Sequence, residues 1–240
     1  VGRIYKSPCG RIELREGKWQ DVLRDVDRVD AVITDPPYGE RTHRGHAKGT
    51  GELNAHGKYV RKDISYKPFS VFDVERFCEY WSPLCRGWFC VFTDHDLYPI
   101  FRSNLEAMGR YSFNPLPIVR IGGRFRMMGD GPSSWTVWLS VSRPRDREYG
   151  TWGCLPGAYV FKGAVAGSPV AGAKSIDESS AIIRDYSRPN DLICDPCAGS
   201  GTTLLAAAIE GRRAIGAEMD PKTYELAVKR LKKGYTPSLF

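Results

Sequence analysis

The chain has 240 residues, 42% hydrophobic and 26% charged, a composition that fits a soluble globule and excludes a disordered or fibrous chain. No apolar run approaches bilayer-spanning length and the first residues lack the apolar core of a signal peptide, so a cytoplasmic protein without a membrane partner is expected. A net charge of +7 and a pI near 9.0 carry the sign needed to approach a polyphosphate.

In chain order, residues 11–15 alternate like a short strand and residues 17–25 allow a turn of helix. The apolar run Val29-Asp30-Ala31-Val32-Ile33-Thr34 predicts a strand that ends in Asp35-Pro36-Pro37-Tyr38-Gly39. Residues 39–70 are glycine-rich and basic without sustained periodicity, which predicts a long irregular loop. A helix is predicted over 73–85, with Val74, Phe77, Cys78, Trp81 and Leu84 on one face, then a strand over 88–93 and a helix over 97–108. Strands over 111–120 and 135–142 flank a second glycine-rich loop, 122–134. From 143 to 174 the chain is rich in Gly, Pro and Arg, with one apolar island at 158–161. Ser175 and Glu178 have the spacing of a capping box for a helix through about Tyr186. The end reads as strand 191–195, glycine turn, helix 202–210, strand 213–218 and helix 222–233, a βαβα unit that implies a parallel sheet.

Two motifs sit where buried strands emit their loops, the place at which open α/β sheets bind ligands. The later one is Asp195-Pro196-Cys197-Ala198-Gly199-Ser200-Gly201-Thr202-Thr203. Its glycines permit close ligand approach, and the amides of the following helix start favour an anionic group. Glu218 ends the next strand, where an acid can accept hydrogen bonds from ribose hydroxyls. A dinucleotide fingerprint from Gly199 would need a third glycine at Leu204, so that reading is incomplete. The odd count of seven cysteines argues against a complete disulfide framework, and Cys194-Asp195-Pro196-Cys197 lacks a second ligand pair. His43, His46 and His56 have no acid or cysteine at ligand spacing, so no metal is expected.

The longer string closely resembles the S-adenosylmethionine-binding segment of amino-group DNA methyltransferases: the Asp195–Thr203 run, Ala206-Ala207, Gly211-Arg212, Ile215-Gly216 with Glu218, and Tyr224. The resemblance implies S-adenosyl-L-methionine as cofactor, with Asp195 beside its methionine moiety and Glu218 on its ribose. Cys197 stands where that family usually has a bulky aromatic. Lys174-Ser175 stands where it tends to have Lys-Pro, which would assign both residues to the cofactor site. Asp35, Pro36, Pro37 and Tyr38 match the family's catalytic motif. An exocyclic amine is a poor nucleophile because its lone pair is delocalised into the ring. The Asp35 carboxylate and the Pro36 carbonyl can each accept one of its N–H bonds, and the prolines pre-set those acceptors. Tyr38 offers a ring to an extruded base. Asp at position 35 leans towards adenine N6, since a Ser-Pro-Pro-Tyr variant is usual for cytosine N4.

Enzymes that methylate protein glutamine carry Asn-Pro-Pro-Tyr after the glycine turn, whereas here the motif precedes the turn. That order resembles the β group of DNA amino-methyltransferases. It implies an α/β fold, a circularly permuted Rossmann-like methyltransferase with a mostly parallel twisted sheet and helices on both faces. One domain is expected over 1–240: a catalytic segment at 1–38, a mobile basic loop at 39–70, a short target-recognition region at 143–174 and a cofactor segment at 175–234. The partner is expected to be double-stranded DNA with one base flipped out, with RNA and cytosine N4 as alternatives, alongside a non-catalytic binding subunit of the same fold. Arg41, Arg44, Lys58, Lys62, Arg124, Arg126, Arg143 and Arg145 are the candidates for meeting it, with Trp152 and Tyr159 able to stack on bases. The small recognition region points to short, permissive recognition or to recognition shared with a homodimeric or specificity partner.

Overall fold

The computed structural model describes residues 2–49, 51–53, 59–61, 66–121, 136–146, 152–162 and 174–234. A hairpin of β1 (Ile4–Lys6) and β2 (Ile12–Glu16) leads through one helical turn, α1 (Trp19–Val22), to β3 (Ala31–Thr34). Next come α2 (Glu40–Gly49), a small hairpin of β4 (Gly51–Leu53) and β5 (Tyr59–Arg61), α3 (Val71–Leu84), β6 (Phe89–Thr93) and α4 (Tyr98–Ala107). The strands β7 (Arg110–Ser112), β8 (Leu116–Ile121), β9 (Thr136–Pro144) and β10 (Tyr159–Lys162) follow. The chain ends in α5 (Ile176–Tyr186), β11 (Leu192–Asp195), α6 (Thr202–Ile209), β12 (Arg213–Glu218) and α7 (Pro221–Lys233).

The main sheet runs β1-β2-β12-β11-β3-β6-β9-β8-β10, with β7 paired to β9. The pairings β2–β12, β12–β11, β11–β3, β3–β6 and β8–β10 are parallel. Antiparallel pairings link β1 to β2 and join β9 to β6, β7 and β8. Central strands buried on both faces need continuous apolar runs, as β3 and β6 have. Their side chains divide by parity. Ala31, Ile33, Cys90, Phe92 and Ile193 join a core with Ile182 and Ile183 of α5, Leu204 and Ala207 of α6 and Leu231 of α7. Val32, Phe89, Val91 and Cys194 face Trp19 of α1, Phe77 and Trp81 of α3 and Phe101 of α4. Helices thus cover both faces.

From β11 the chain passes through α6 to β12 on one side, and from β3 it passes through α3 to β6 on the other. The junction of β3 and β11 is therefore a topological switch point, where a crevice opens beyond the strand ends. The predicted βαβα unit is present, as are the helices at 71–84, 98–107 and 176–186. Capping boxes start α3 (Ser70 with Asp73) and α5 (Ser175 with Glu178).

The stretch 39–70 departs from the irregular loop predicted there. Its first part is α2, which lacks an apolar stripe but is anchored at its start by a distant residue. Asp94, just past β6, accepts bonds from the Gly39 amide (2.9 Å) and the Thr42 hydroxyl (2.6 Å). Arg44 pairs with Glu40 one turn back. The short edge strand β1 was not predicted either; it pairs with β2, a pairing that three residues do not announce.

Phe77 is fully buried and meets Trp19, Phe89 and Phe101 edge-on at centroid distances of 5.7, 6.2 and 6.4 Å. Phe77→Ala is expected to cost about 3–5 kcal/mol, read as a lower urea midpoint with an unchanged slope.

Candidate active site

At the switch point the two predicted motifs meet. Ile193 and Cys194 of β11 pair with Ala31 and Val32 of β3, which brings Thr34 beside Asp195. The Thr34 hydroxyl donates to Asp195 Oδ1 at 2.7 Å, and the Cys197 amide donates to the same oxygen at 3.1 Å. Burial raises the Asp195 carboxyl to about 6, against the bonds from Thr34, Thr203 and the Cys197 amide. Gly199 and Gly201 take left-handed angles (φ 52° and 75°) that a side chain would strain. The turn between them is braced by Arg230 of α7, which donates to Ser200 Oγ (3.0 Å) and Thr202 Oγ1 (2.8 Å). Glu218 ends β12; its Oε1 accepts the Asp220 amide at 2.7 Å. Burial lifts its carboxyl to about 7, opposed by the amides of Asp220 and Gly199. Burial likewise pushes the Cys194 and Cys197 thiols up, so neither is a thiolate near neutrality.

On the other side of the crevice, Pro36 is buried and the Tyr38 carbonyl accepts the Phe69 amide at 3.1 Å. Asp94 fixes the end of the Asp35–Tyr38 tetrapeptide through Gly39, and its Oδ1 accepts the Leu97 amide at 2.9 Å. Asp35 Oδ2 pairs with Lys174 Nζ at 2.5 Å, while Asp35 Oδ1 is buried without a hydrogen-bond partner among the described residues. Partial burial lifts the Tyr66 hydroxyl to about 12, and the charges of Asp35 and Glu218 add to that rise. His43 Nε2 donates to the Tyr66 carbonyl at 2.9 Å.

The predicted residues Asp35 to Tyr38, Asp195 to Thr203 and Glu218 therefore gather at one edge of the sheet. Lys174 joins them at Asp35 and Tyr38, on the β3 side of the crevice. The Ser175 hydroxyl is used locally, accepting the Glu178 amide at 3.1 Å in the α5 cap. Arg41 lies at the same sheet edge and pairs with Asp96 at 2.7 Å, whereas Arg44 pairs with Glu40. Arg143 and Arg145 do not join them. Strand β9 runs antiparallel to β6, with Ser142 opposite Phe89, so both arginines sit at the opposite end of the sheet. There Arg143 stacks over Tyr111 and Arg145 donates to the Arg110 carbonyl. Trp152 packs on Trp88 beneath Arg188, and the buried Tyr159 donates to Asp185, so both rings serve the core. Lys58, Lys62, Arg124 and Arg126 lie outside the described residues. Asp94 and Arg230 were missed by sequence reasoning. Asp94 carried a readable signal, an acid at the tip of an apolar strand like Asp35 and Asp195; Arg230 carried none.

The two raised acids give a pH signature. The folded chain keeps a proton on Asp195 between 3.8 and about 6, and on Glu218 between 4.5 and about 7, where the unfolded chain has lost it. Stability of the free protein is therefore expected to fall as pH rises through that window and to level off above it. Glu218→Gln should flatten the upper part of that fall in a series of thermal melts; an unchanged slope would remove Glu218 as its source.

A family model for N6/N4 methyltransferases, described as DNA methylase, matches residues 174–229. The Type II methyltransferase M.HinfI of Haemophilus influenzae is 42% identical over 52 residues, which are 22% of this chain and only 14% of that one. The crystal structure of M1.HpyAVI superposes with a TM-score of 0.67 at 21% identity, covering 92% of this chain and 98% of that chain. The PvuII DNA methyltransferase, cytosine-N4-specific, gives a TM-score of 0.58 at 14% identity over 94% of this chain and 89% of that one. The chain thus shares the fold of these DNA methyltransferases, and its residues 174–229 match the family model for N6/N4 DNA methylases.

Proposed function

We propose that this protein is an S-adenosylmethionine-dependent DNA methyltransferase that modifies the exocyclic N6 amine of an adenine flipped out of the duplex. The observation that carries the reading is Asp35: a carboxylate beside the glycine turn, one oxygen ion-paired and the other buried with no partner among the described residues. A buried acceptor left open in this way suits a donor that arrives with a substrate.

The crevice suits the cofactor as well. Gly199 and Gly201 leave the backbone bare at the start of α6, where amides can receive a carboxylate. Asp195 is a buried and Glu218 a half-buried acid, and the charged forms of both gain from a ligand's ammonium and hydroxyl groups. M1.HpyAVI has also been solved as its complex with S-adenosylmethionine. When bound, the cofactor supplies a methyl group already activated on a sulfonium.

The chain's own residues then prepare the nucleophile. Asp35 Oδ1 and the Pro36 carbonyl accept the two N–H bonds of the amine and favour a more tetrahedral nitrogen with its lone pair free. Neither proline carries an N–H to compete for those acceptors. Tyr38 offers its ring to the extruded base. Catalysis on this scheme is chiefly positioning and stabilisation of developing charge. Adenine is preferred over cytosine on the identity of residue 35, Asp rather than Ser; DNA is preferred over RNA on the family match to 174–229. The motif order supports a β-group arrangement, and exposed Arg41 at the crevice edge is a candidate phosphate contact.

The direct test is incubation with labelled cofactor and DNA or RNA, digestion, and identification of the modified nucleoside by mass; N6-methyladenosine in place of its deoxy form, or N4-methylcytosine, would redirect the assignment. Asp35→Ala is expected to lower methyl transfer by about 1,000-fold while cofactor binding persists in calorimetry. Glu218→Ala should weaken cofactor binding by about 10- to 100-fold.

A further inference from the structure

Lys174 is an ammonium only 7% exposed, set against the catalytic tetrapeptide. Its Nζ donates to Asp35 Oδ2 at 2.5 Å and to the Tyr38 hydroxyl at 2.9 Å. The same nitrogen lies 5.1 Å from the Tyr38 ring centroid and 4.9 Å from that of Phe92. The backbone that carries it is locked. Ser175 and Glu178 close the α5 capping box, and Arg120 of β8 donates to Glu178 Oε2 at 2.8 Å. Lys174 therefore stands one residue before a cap that is tied across to the sheet.

Building on the proposed methyl transfer, we infer that Lys174 is a positioning residue: it holds Asp35 Oδ2 and the Tyr38 hydroxyl so that Asp35 Oδ1 is presented to the amine of the target base. The division of the carboxylate argues for this, one oxygen engaged and the other buried and open among the described residues. A carboxylate free to rotate would offer either oxygen in several orientations. One clamped through Oδ2 offers Oδ1 in one. Burial pulls the Lys174 ammonium below its ordinary value, against the opposing pull of Asp35. The cation is thus retained at a cost that a surface lysine would not bear. Its contacts with Asp35, Tyr38 and Phe92 place the ammonium on the Asp35 side of the crevice, where a positioning role is served.

The experiment uses the full chain, S-adenosylmethionine and the nucleic acid that the wild-type protein methylates. Lys174→Met is expected to lower kcat by about 100-fold, with cofactor affinity by calorimetry close to wild type. Lys174→Arg, which keeps the charge and donors, should recover part of kcat. If Lys174→Met does not fold, Lys174→Gln replaces it, with a fall of about tenfold expected from the lost charge. An unchanged kcat in the folded neutral variant would overturn the inference. So would cofactor affinity lost with kcat at saturation kept, which would make Lys174 a cofactor ligand. A wild-type protein that methylates no DNA or RNA would instead overturn the functional reading itself.

Discussion

The hydrogen bond from Thr34 to Asp195 ties the loop after β3 to the loop after β11, joining an early and a late segment of the chain at one sheet edge. Strands β3 and β11 are far apart in sequence and adjacent in space, each leading its chain away in the opposite direction. Everything beyond their ends is set by that adjacency. The tetrapeptide after β3 and the glycine turn after β11 face one another because their strands share a register, which in turn rests on apolar side chains divided between the two cores. A slip of one residue would exchange Ile33 with Val32 across the sheet and carry Asp35 away from the crevice.

Charge at this edge is distributed unevenly. Asp94 is buried but fully engaged: it holds two amides and a hydroxyl, so it acts as an anchor for the backbone of the tetrapeptide and of α2. Asp195 is buried and Glu218 half-buried, and burial raises both despite the bonds they accept. Asp35 is shared between a lysine and an open oxygen. Uncompensated buried charge destabilises a fold, so its concentration at one crevice argues for a ligand that completes it.

Legibility from sequence followed the range of the interactions involved. The cofactor-side unit, β11 through α7, could be read because its glycine turn, its strand and helix periods and the carboxylates at its strand ends lie within one contiguous stretch. The α5 cap was readable for the same reason, as Ser175 and Glu178 are one turn apart. Helix α2 was not, because Asp94 supplies its start from another strand. Arg230 was invisible likewise: on the sequence it is one more cation in a basic last turn, and only packing of α7 beneath the glycine turn gives it Ser200 and Thr202. The basic residues at 143 and 145 misled in the opposite way. Their charge was plain, but the antiparallel turn of β9 that sends them to the far end of the sheet was not.

The same contrast explains why recognisable similarity concentrates in residues 174–229 while the fold extends across nearly the whole chain. A glycine turn that must admit backbone to a ligand tolerates few substitutions, and its neighbours in sequence are its neighbours in space. The catalytic half obeys a looser rule. It needs a carboxylate at the tip of β3, a backbone anchor such as Asp94 and something to orient the acid, and these can come from different elements without a shared string. Lys174 lies at the seam of the two halves, the first residue of the matched segment and yet in contact with Asp35 and Tyr38. A side chain in that position links the start of α5 to the Asp35 carboxylate. The two motifs are thereby tied together from the α5 side as well as through β3 and β11.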